Sequence, residues 1–301
     1  MTHYVYVGVP QWAATESAEL LGGLFRQEVG ANEWQHLSTG LPDKAEVRAL
    51  AIHPHNPHVI YAGTQHGPYH SLDCGDHWEC LAFPDPGMVV WSISFHPHNP
   101  QTLYLGTAPA AVYRSDDGGE RWRRLPVVET AGMVRMAFPT RVIRLALDPS
   151  RPEEIYAGLE VGGVIRSRDG GDTWSDCSSA LVRLADQAHL KSQLGSDTEV
   201  EGMMDAHAVA VSAARPGTVF SQTAWGCSVA RIAERAGRRW RSGAFRPLPM
   251  PAIFRSRPMI LTLCMWRSAR RRSVRRGPSI AVRTSARPGS VSIARSGRAA
   301  L

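Results

Sequence analysis

Apolar and polar residues alternate in short segments that recur along the first three quarters of the chain. A period of two residues places the apolar side chains on one face of an extended segment, so each segment is predicted to be a β-strand. A turn follows each one, and then a second short apolar strand, as in residues 60–63. The alternating segments are residues 47–52, 90–95, 142–147 and 206–211.

A hairpin motif, S-x-D-x-G-x-x-W, follows each of the first three strand pairs. Its aspartate is suited to accept hydrogen bonds from backbone N–H groups, and its glycine allows the positive φ angle of a tight turn. Its tryptophan covers apolar surface beside the turn. The tryptophans lie 44 and 52 residues apart, close to the length of one four-stranded repeat. The motif residues are Ser71, Asp73, Gly75 and Trp78, then Ser115, Asp117, Gly119 and Trp122, and then Ser167, Asp169, Gly171 and Trp174.

The hairpin motif resembles the Asp-box, or BNR, repeat of β-propellers, the fold of sialidases, sortilins and photosystem-assembly factors. The resemblance covers residues 60–226. It implies an all-β propeller of four-stranded blades, with the hairpins at the blade periphery and away from the binding mouth of the channel. Every blade needs the same hairpin, so a carboxylate that recurs once in each blade is expected to stabilise that hairpin. The motif aspartates are therefore expected to be structural.

Five blades are expected within residues 1–226, the first and the fifth of them partial. Residues 4–8 and 23–26 resemble the second and third strands of a blade, and Trp34 the tryptophan that follows the hairpin. The innermost strand of this first blade is missing, and we expect the other end of the chain to fill the gap. Residues 183–202 form an insertion, predicted to be a loop with some helix.

The charge of the chain is unevenly divided. Residues 227–301 contain 18 arginines, no lysine and a single acidic residue, Glu234, whereas residues 1–226 carry a net charge of −10. A basic segment of this kind suggests a nucleic-acid-binding arm. The absence of lysine, together with scattered alanine, proline, glycine and serine, instead favours a coding sequence that is translated out of frame. Nucleic-acid binding is therefore not expected.

The hypothesis of a frameshift near codon 226 is supported by the genetic code itself. When codons are taken from the third base onward, those from Gly226 to Gly237 permit L-F-R-S-x-D-x-G-x-x-W, which is a third strand and a complete hairpin motif. Residues 256–266 and 280–289 permit two further repeat phrases in the same frame. The segment 227–301 as written is expected to be disordered or non-native and to build no blades, and an unshifted ancestor would have six or seven.

Composition excludes several other classes. No apolar run reaches membrane-spanning length, and the first residues do not resemble a signal peptide, so neither a membrane span nor a signal peptide is expected. The five cysteines lack metal-binding spacing, so reduced thiols in the cytoplasm are expected, with no metal and no cofactor. The histidines form two H-x-H pairs, each beside a proline-containing turn. The equivalent turns of two other blades begin with Asp148 and Ser212, so the histidines are interpreted as turn residues. These histidines are His53, His55, His96 and His98.

The candidate ligand site lies where the inner strands begin. Counting back five residues from each turn gives Arg48, Trp91, Ile143 and His207, with Arg144 next to Ile143. Arginine, tryptophan and histidine at one mouth are suited to an anionic or sugar-like ligand. The alternative is that water alone satisfies these side chains. We therefore expect a non-catalytic binding or scaffold protein whose ligand is a protein partner, a small molecule or a glycan.

An exo-acting, sialidase-like glycoside hydrolase is the competing interpretation. Sialidases need an arginine triad, a Tyr-Glu pair and an F/Y-R-I-P phrase, and residues 138–141 do not match that phrase. A glycosidase also needs two converging carboxylates. Glu201 and Asp205 are the candidates, and they lie just outside the expected mouth together with Glu46 and Arg141.

Overall fold

The computed structural model describes residues 2–9, 22–130, 132–215, 217–223, 226–231, 241–246 and 262–265, the last three ranges by their backbone. These residues build five antiparallel sheets of four strands each, which are the blades of a β-propeller. In blades two to five the strands follow chain order from the innermost outward. All strands belong to one compact unit, Met1–Trp266.

Blades two, three and four come from the part of the chain that carries the hairpin motifs. Their second strands are buried along residues 60–64, 103–108 and 154–159, as expected for sheets that pack against neighbours on both faces. The strands of blade two are β4 (Ala49–Ile52), β5 (Ile60–Thr64), β6 (Gly67–Ser71) and β7 (Glu79–Cys80). Those of blade three are β8 (Val89–Phe95), β9 (Leu103–Ala108), β10 (Val112–Ser115) and β11 (Arg123–Leu125). Those of blade four are β12 (Val142–Asp148), β13 (Arg151–Leu159), β14 (Gly163–Ser167) and β15 (Ser175–Asp176).

Blades one and five are completed by strands from the arginine-rich segment. Blade one contains β1 (Tyr4–Val9), β2 (Gly23–Glu28), β3 (Gln35–Leu37) and, as its innermost strand, β20 (Thr262–Met265). Blade five contains β16 (Ala206–Val211), β17 (Thr218–Thr223), β18 (Gly226–Arg231) and β19 (Arg241–Arg246). The gap in blade one is thus filled from the other end of the chain, as expected.

The expectation that residues 227–301 build no blade is wrong for three short stretches. Strand β18 pairs along the free edge of β17, β19 pairs with β18, and β20 pairs with β1. An unpaired sheet edge offers backbone N–H and C=O groups to any extended segment, so this pairing requires no hydrophobic pattern. Residues 232–240, 247–261 and 266–301 lie outside the described residues, and the expected disorder of the segment is not tested there.

The hydrophobic core lies between neighbouring blades. One cluster joins Tyr6 and Leu24 of blade one to Ile60 of blade two, and equivalent clusters join blades two and three and blades three and four. Inner strands of successive blades also contact each other in chain order. Trp34, the expected equivalent of the motif tryptophans, is 46% exposed, which agrees with the decayed motif in blade one.

The segment between blades four and five, which includes the predicted insertion, is partly helical. It contains α1 (Ser179–Ala185), a 3-10 turn (Ala188–Leu190) and α2 (Glu201–Met204). Its apolar residues Leu181, Leu190 and Met203 join the core cluster of blades four and five. The segment therefore packs onto the propeller. Within the described residues no helix has the length and apolar character needed to cross a membrane.

Candidate functional site

The three hairpin motifs share the hydrogen bonds of their serine and aspartate side chains, and the first and third also share that of their tryptophan. In the third motif the Ser167 hydroxyl donates to Asp169 Oδ1 at 2.8 Å and accepts from Gly171 N at 2.8 Å. Asp169 Oδ1 also accepts from Thr173 N at 2.9 Å. Gly171 has a φ of 98°, a conformation that disfavours side chains, and its carbonyl accepts from Trp174 Nε1 at 2.9 Å.

The motif carboxylates are committed to these turns. Hydrogen bonds from the Thr173 hydroxyl and backbone N–H, and from Ser167, lower the pKa of Asp169 to about 2. The pKa of Asp117 is lowered by bonds from Arg121 N and Ser115. Burial alone would raise the pKa of Asp73, but bonds from His77 and Ser71 outweigh it and bring the value to about 2. These geometries support the structural role expected of all three residues.

The paired histidines act as turn residues. His53 Nδ1 accepts from Asn56 N at 3.0 Å, and His96 Nδ1 accepts from Asn99 N at 3.0 Å. Asp148 Oδ1 does the same for Ser150 N at 2.9 Å. Among the described residues, no group of three histidine, cysteine, aspartate or glutamate side chains is arranged to hold a metal ion.

The expected mouth residues share one structural feature, a β-bulge at the start of each inner strand. In blade three the register skips Trp91, because Val90 pairs with Thr107 and Ser92 with Gly106. The register skips Ile143 and His207 at the equivalent positions of blades four and five. In blade two, Arg48 N and strand residue Ala49 both lie opposite Gly63. A bulge changes the direction of a side chain, and such bulges are frequent beside binding sites.

Arg48, Trp91 and Arg141 form the centre of a mouth cluster, completed by Phe138, Asp205 and His207. The Arg48 guanidinium lies 4.3 Å and the Arg141 guanidinium 4.6 Å from the centre of the Trp91 ring. Phe138 also contacts Arg141, at 4.8 Å. Cations held against aromatic faces are attracted by the ring quadrupole and lose little freedom there.

Two carboxylates balance the charge of these arginines. Arg141 Nε lies 3.0 Å from Glu160 Oε2, and Arg48 pairs with Glu46. Burial, and then the nearby charge of Arg141, lower the pKa of Arg48, although Glu46 opposes both effects. Even so, the guanidinium stays charged near neutral pH. The arginine pair is thus electrically neutralised within the protein.

Asp205 and His207 form the other side of the mouth cluster. Asp205 Oδ2 lies 3.3 Å from His207 Nε2. Burial raises the pKa of Asp205, and the nearby His207 and Arg141 oppose that effect. Within the described part of the chain, the buried atoms Asp205 Oδ1 and Trp91 Nε1 have no hydrogen-bond partner. One is an acceptor and the other a donor, and both belong to side chains that interact with Arg141.

The structure brings together three of the four predicted ligand residues, Arg48, Trp91 and His207, and also Asp205. Arg144 is different: it is exposed on β12, one residue beyond the bulge, and makes no ion pair or ring contact with the described residues of the mouth cluster. Phe138 and Glu160 were not predicted from the sequence. Glu160 directly follows the second strand of blade four, and this position at the end of a strand is the sequence feature that could have identified it.

Glu201 does not lie in the mouth cluster as a free carboxylate. It is 3% exposed and accepts hydrogen bonds from the backbone of Leu194, Gly195 and Ser196 at 2.8 to 3.0 Å. The Ser196 hydroxyl donates to it as well, at 2.7 Å. Despite burial, these donors lower its pKa. Glu201 therefore fastens the insertion loop, and its role is structural.

Solved structures of several proteins are similar to this chain. The GH74 xyloglucanase from Xanthomonas campestris is 16% identical with a TM-score of 0.54, over 72% of this chain and 35% of that one. An ancestral GH74 enzyme is 16% identical with a TM-score of 0.53, over 73% and 28%. The extracellular domain of the one-component system BT4673 from B. thetaiotaomicron is 14% identical with a TM-score of 0.50, over 70% and 25%.

These similarities show the fold alone, a β-propeller, because the identities are low. The chain spans only about a quarter to a third of the length of those proteins. No protein-family model matches the sequence. No curated protein matches it either.

Proposed function

We propose that this propeller is a non-catalytic binding protein of the Asp-box type whose mouth cluster holds a hydroxyl-rich ligand such as the end of a glycan. The observation that carries the proposal is the pair of buried polar atoms without protein partners, Trp91 Nε1 and Asp205 Oδ1. A buried donor or acceptor that lacks a partner costs about 1–3 kcal/mol. A hydroxyl group both accepts and donates, so a ligand of this class carries the kind of partner that each atom lacks.

The charge balance of the cluster supports a neutral ligand over a strongly anionic one. Each arginine already has a carboxylate partner, Glu46 for Arg48 and Glu160 for Arg141. A phosphate or carboxylate ligand would have to displace one of these partners. A neutral sugar leaves both pairs intact and gains contact with the edge of Trp91.

Membership of the Asp-box type is supported by the three hairpin motifs. Their serine, aspartate and glycine residues repeat the same hydrogen bonds at the same distances in blades two, three and four. Three copies of one hydrogen-bonded hairpin at equivalent positions are typical of a repeat family.

Binding is tested with neutral xyloglucan and cello-oligosaccharides, chosen because one similar structure is a xyloglucanase, and with an acidic oligogalacturonate. Trp91→Phe keeps an aromatic ring beside both guanidinium groups but removes the N–H together with part of the ring area, so we expect about a tenfold loss of affinity in calorimetry. Trp122→Phe is the matched control, because Trp122 Nε1 also lacks a partner among the described residues but lies in a hairpin motif. Unchanged affinity in Trp91→Phe, or no binding of any oligosaccharide, contradicts the proposal and favours a water-filled mouth.

A glycoside hydrolase is the second candidate, and one observation favours it. Burial raises the pKa of Asp205, and a carboxyl group that retains its proton is suited to general acid catalysis. Hydrolysis of chromogenic glycosides that is lost in Asp205→Asn and retained in Glu201→Gln would identify an enzyme. No hydrolysis by the unmodified chain, combined with oligosaccharide binding, supports the non-catalytic function.

We also propose that residues 227–301 are encoded out of frame. The segment contains 18 arginines and no lysine. Strand β18 begins at Gly226, where the alternative frame permits the strand sequence L-F-R-S. Resequencing the gene around codon 226 tests the proposal, and codons that forbid L-F-R-S-x-D-x-G-x-x-W in the shifted frame would refute it.

A further inference from the structure

Each hairpin motif docks onto the preceding blade through a tyrosine. The acceptor is the carbonyl oxygen of the residue before the motif glycine. The Cys74 carbonyl accepts a hydrogen bond from the Tyr6 hydroxyl at 2.8 Å, and the Gly118 carbonyl accepts one from the Tyr61 hydroxyl at 2.7 Å. The third contact, from Tyr104 to the Gly170 carbonyl, is 3.3 Å long. These tyrosines all lie in the second strand of the preceding blade, so one contact type joins blades one to four.

An arginine of the third strand approaches the same carbonyl group in two of these interfaces. Arg26 Nη1 donates to the Cys74 carbonyl at 2.8 Å, and Arg114 Nη1 donates to the Gly170 carbonyl at 3.2 Å. In the latter case the Arg114 guanidinium lies 5.6 Å from the centre of the Tyr104 ring. The tyrosine and the arginine thus form a receptor, meaning a pair of hydrogen-bond donors that bind one carbonyl oxygen of the turn.

The motif glycine fits against the last strand of the preceding blade. A Cβ atom on Gly75 would lie 2.9 Å from Leu37 Cδ1, and a Cβ atom on Gly119 would lie 3.0 Å from Leu81 Cδ1. Both distances are shorter than a normal contact, and the φ angles of 95° at Gly75 and 99° at Gly119 disfavour any side chain there. The third pair, Gly171 and Leu125, shows the same arrangement.

Blade four has residues at the same three positions, a tyrosine, an arginine and a cysteine in place of the leucine. Tyr156 lies in its second strand and Arg166 in its third, and the Arg166 guanidinium lies 5.6 Å from the centre of the Tyr156 ring. Cys177 takes the leucine position: its N–H donates to Val164 O as that of Leu81 does to Pro68 O. All three residues are buried. Arg166 Nε has no hydrogen-bond partner among the described residues.

We propose that Tyr156, Arg166 and Cys177 form a receptor for a fourth hairpin motif at sequence positions 230–237, an inference that rests on the proposed frameshift. The written sequence at positions 229–237 lacks the motif, whereas the alternative frame permits serine, aspartate, glycine and tryptophan at positions 230, 232, 234 and 237. Glu154 is the acceptor that both donors contact within the blade: Arg166 Nη2 lies 2.5 Å from its Oε1, and the Tyr156 hydroxyl donates to the same atom.

The test replaces residues 229–237 of the full chain with the sequence of residues 166–174, R-S-R-D-G-G-D-T-W. We expect the thermal midpoint to rise by about 5 °C, since each restored contact shifts it by a few degrees in a protein of this size. The control graft carries the same nine residues in scrambled order. An equal rise with the scrambled graft, or no rise with the ordered one, overturns the proposal.

The receptor residues are tested by a double-mutant cycle. Tyr156→Phe should lower the midpoint more in the grafted chain than in the unmodified chain, whereas Tyr104→Phe, in an interface that is already complete, should cost the same in both. Equal costs of Tyr156→Phe in both chains overturn the proposal. If the graft is insoluble, the combination Ala230→Ser, Ile232→Asp, Glu234→Gly and Gly237→Trp replaces it. If this variant is insoluble as well, while the scrambled graft is soluble, the result contradicts the proposed receptor.

Discussion

Val90 occupies the space that a side chain on Gly63 would need. A Cβ atom on Gly63, in the second strand of blade two, would lie 2.6 Å from Val90 Cγ1 in the inner strand of blade three. Gly8 faces Val47 in the same way, with 2.8 Å to Cγ1, and Gly106 faces Val142. A glycine in the second strand of blades one, two and three therefore sets the distance to the next blade.

Gly63→Ala is expected to destabilise the protein by about 1–3 kcal/mol, because the added methyl group overpacks this interface. Urea denaturation monitored by tryptophan fluorescence measures the change. Val90→Ala introduced into the Gly63→Ala background should recover part of the loss, although alone it removes buried volume and destabilises. Strict additivity of the two substitutions would show that these residues do not set the spacing.

Acid should weaken the hairpin motifs only as the pH falls below the value at which ordinary surface carboxylates take up protons. The pKa of Asp169 is lowered to about 2, so its contribution to stability is present above its ordinary pKa near 4. That contribution is lost as the pH falls from about 4 to about 2. The thermal midpoint of Asp169→Asn should therefore be lower than that of the unmodified chain at pH 6 and change less between pH 4 and 2.

Asp172→Asn is the control for this experiment. Asp172 lies in the same turn, is exposed and pairs with Arg123 at 2.8 Å, a surface ion pair that contributes little to stability. Its substitution should leave the acid profile of the unmodified chain. A profile like that of Asp169→Asn would mean that the turn responds to net charge and not to the motif bonds.

Protonation of His96 should open its turn. Burial lowers the pKa of His96, an effect that Glu153 opposes from 3.8 Å and that His98 and Arg114 assist, whereas Asp116 opposes it. The neutral form is thus favoured in the folded state. Its contribution is complete above about pH 6.5 and is lost as the pH falls below that value.

His96→Asp copies the residue that opens the equivalent turn of blade four, where Asp148 Oδ1 accepts from Ser150 N. We expect a thermal midpoint near that of the unmodified chain at pH 8 and a higher one at pH 5. His98→Asn, which alters an exposed neighbour, should retain the original pH dependence. A parallel decline of the unmodified chain and His96→Asp from pH 8 to 5 would exclude His96 as the sensitive group.

Glu201→Ala should release the insertion loop. It leaves three backbone N–H groups without their acceptor, so a loss of about 1–3 kcal/mol is expected, with faster hydrogen exchange at residues 194–196. Glu201→Gln, which keeps one acceptor oxygen, should lose less. Unchanged exchange in Glu201→Ala would contradict the structural role and return this carboxylate to the list of catalytic candidates.

Local patterns in the sequence were sufficient to predict the blades. The alternating segment at 142–147 became β12, and that at 206–211 became β16. The three hairpin motifs are likewise local, because the hydrogen bonds that their serine and aspartate side chains make within the turn join residues at most four positions apart. The strands β18 to β20 were not predicted, because pairing along a free sheet edge leaves no mark in the side-chain pattern.

The mouth cluster was predicted in part, and each failure has a physical cause. Counting back from the turns located Trp91 and His207, since the bulge recurs at a constant distance from the turn. The same bulge separates the buried Ile143 from the exposed Arg144, because a shift of one residue reverses the face of a strand. Glu201 was misjudged because its donors come from a loop whose path the sequence does not specify.

The pairing of Val5 with Met265 places nearly the whole chain between two partners in one sheet. During synthesis the first blade lacks its inner strand until β20 has left the ribosome, whereas blades two to four contain only strands that follow one another closely. Contacts between such distant residues form slowly. Folding should therefore start in the middle of the chain, and the blade made first should be the last to close.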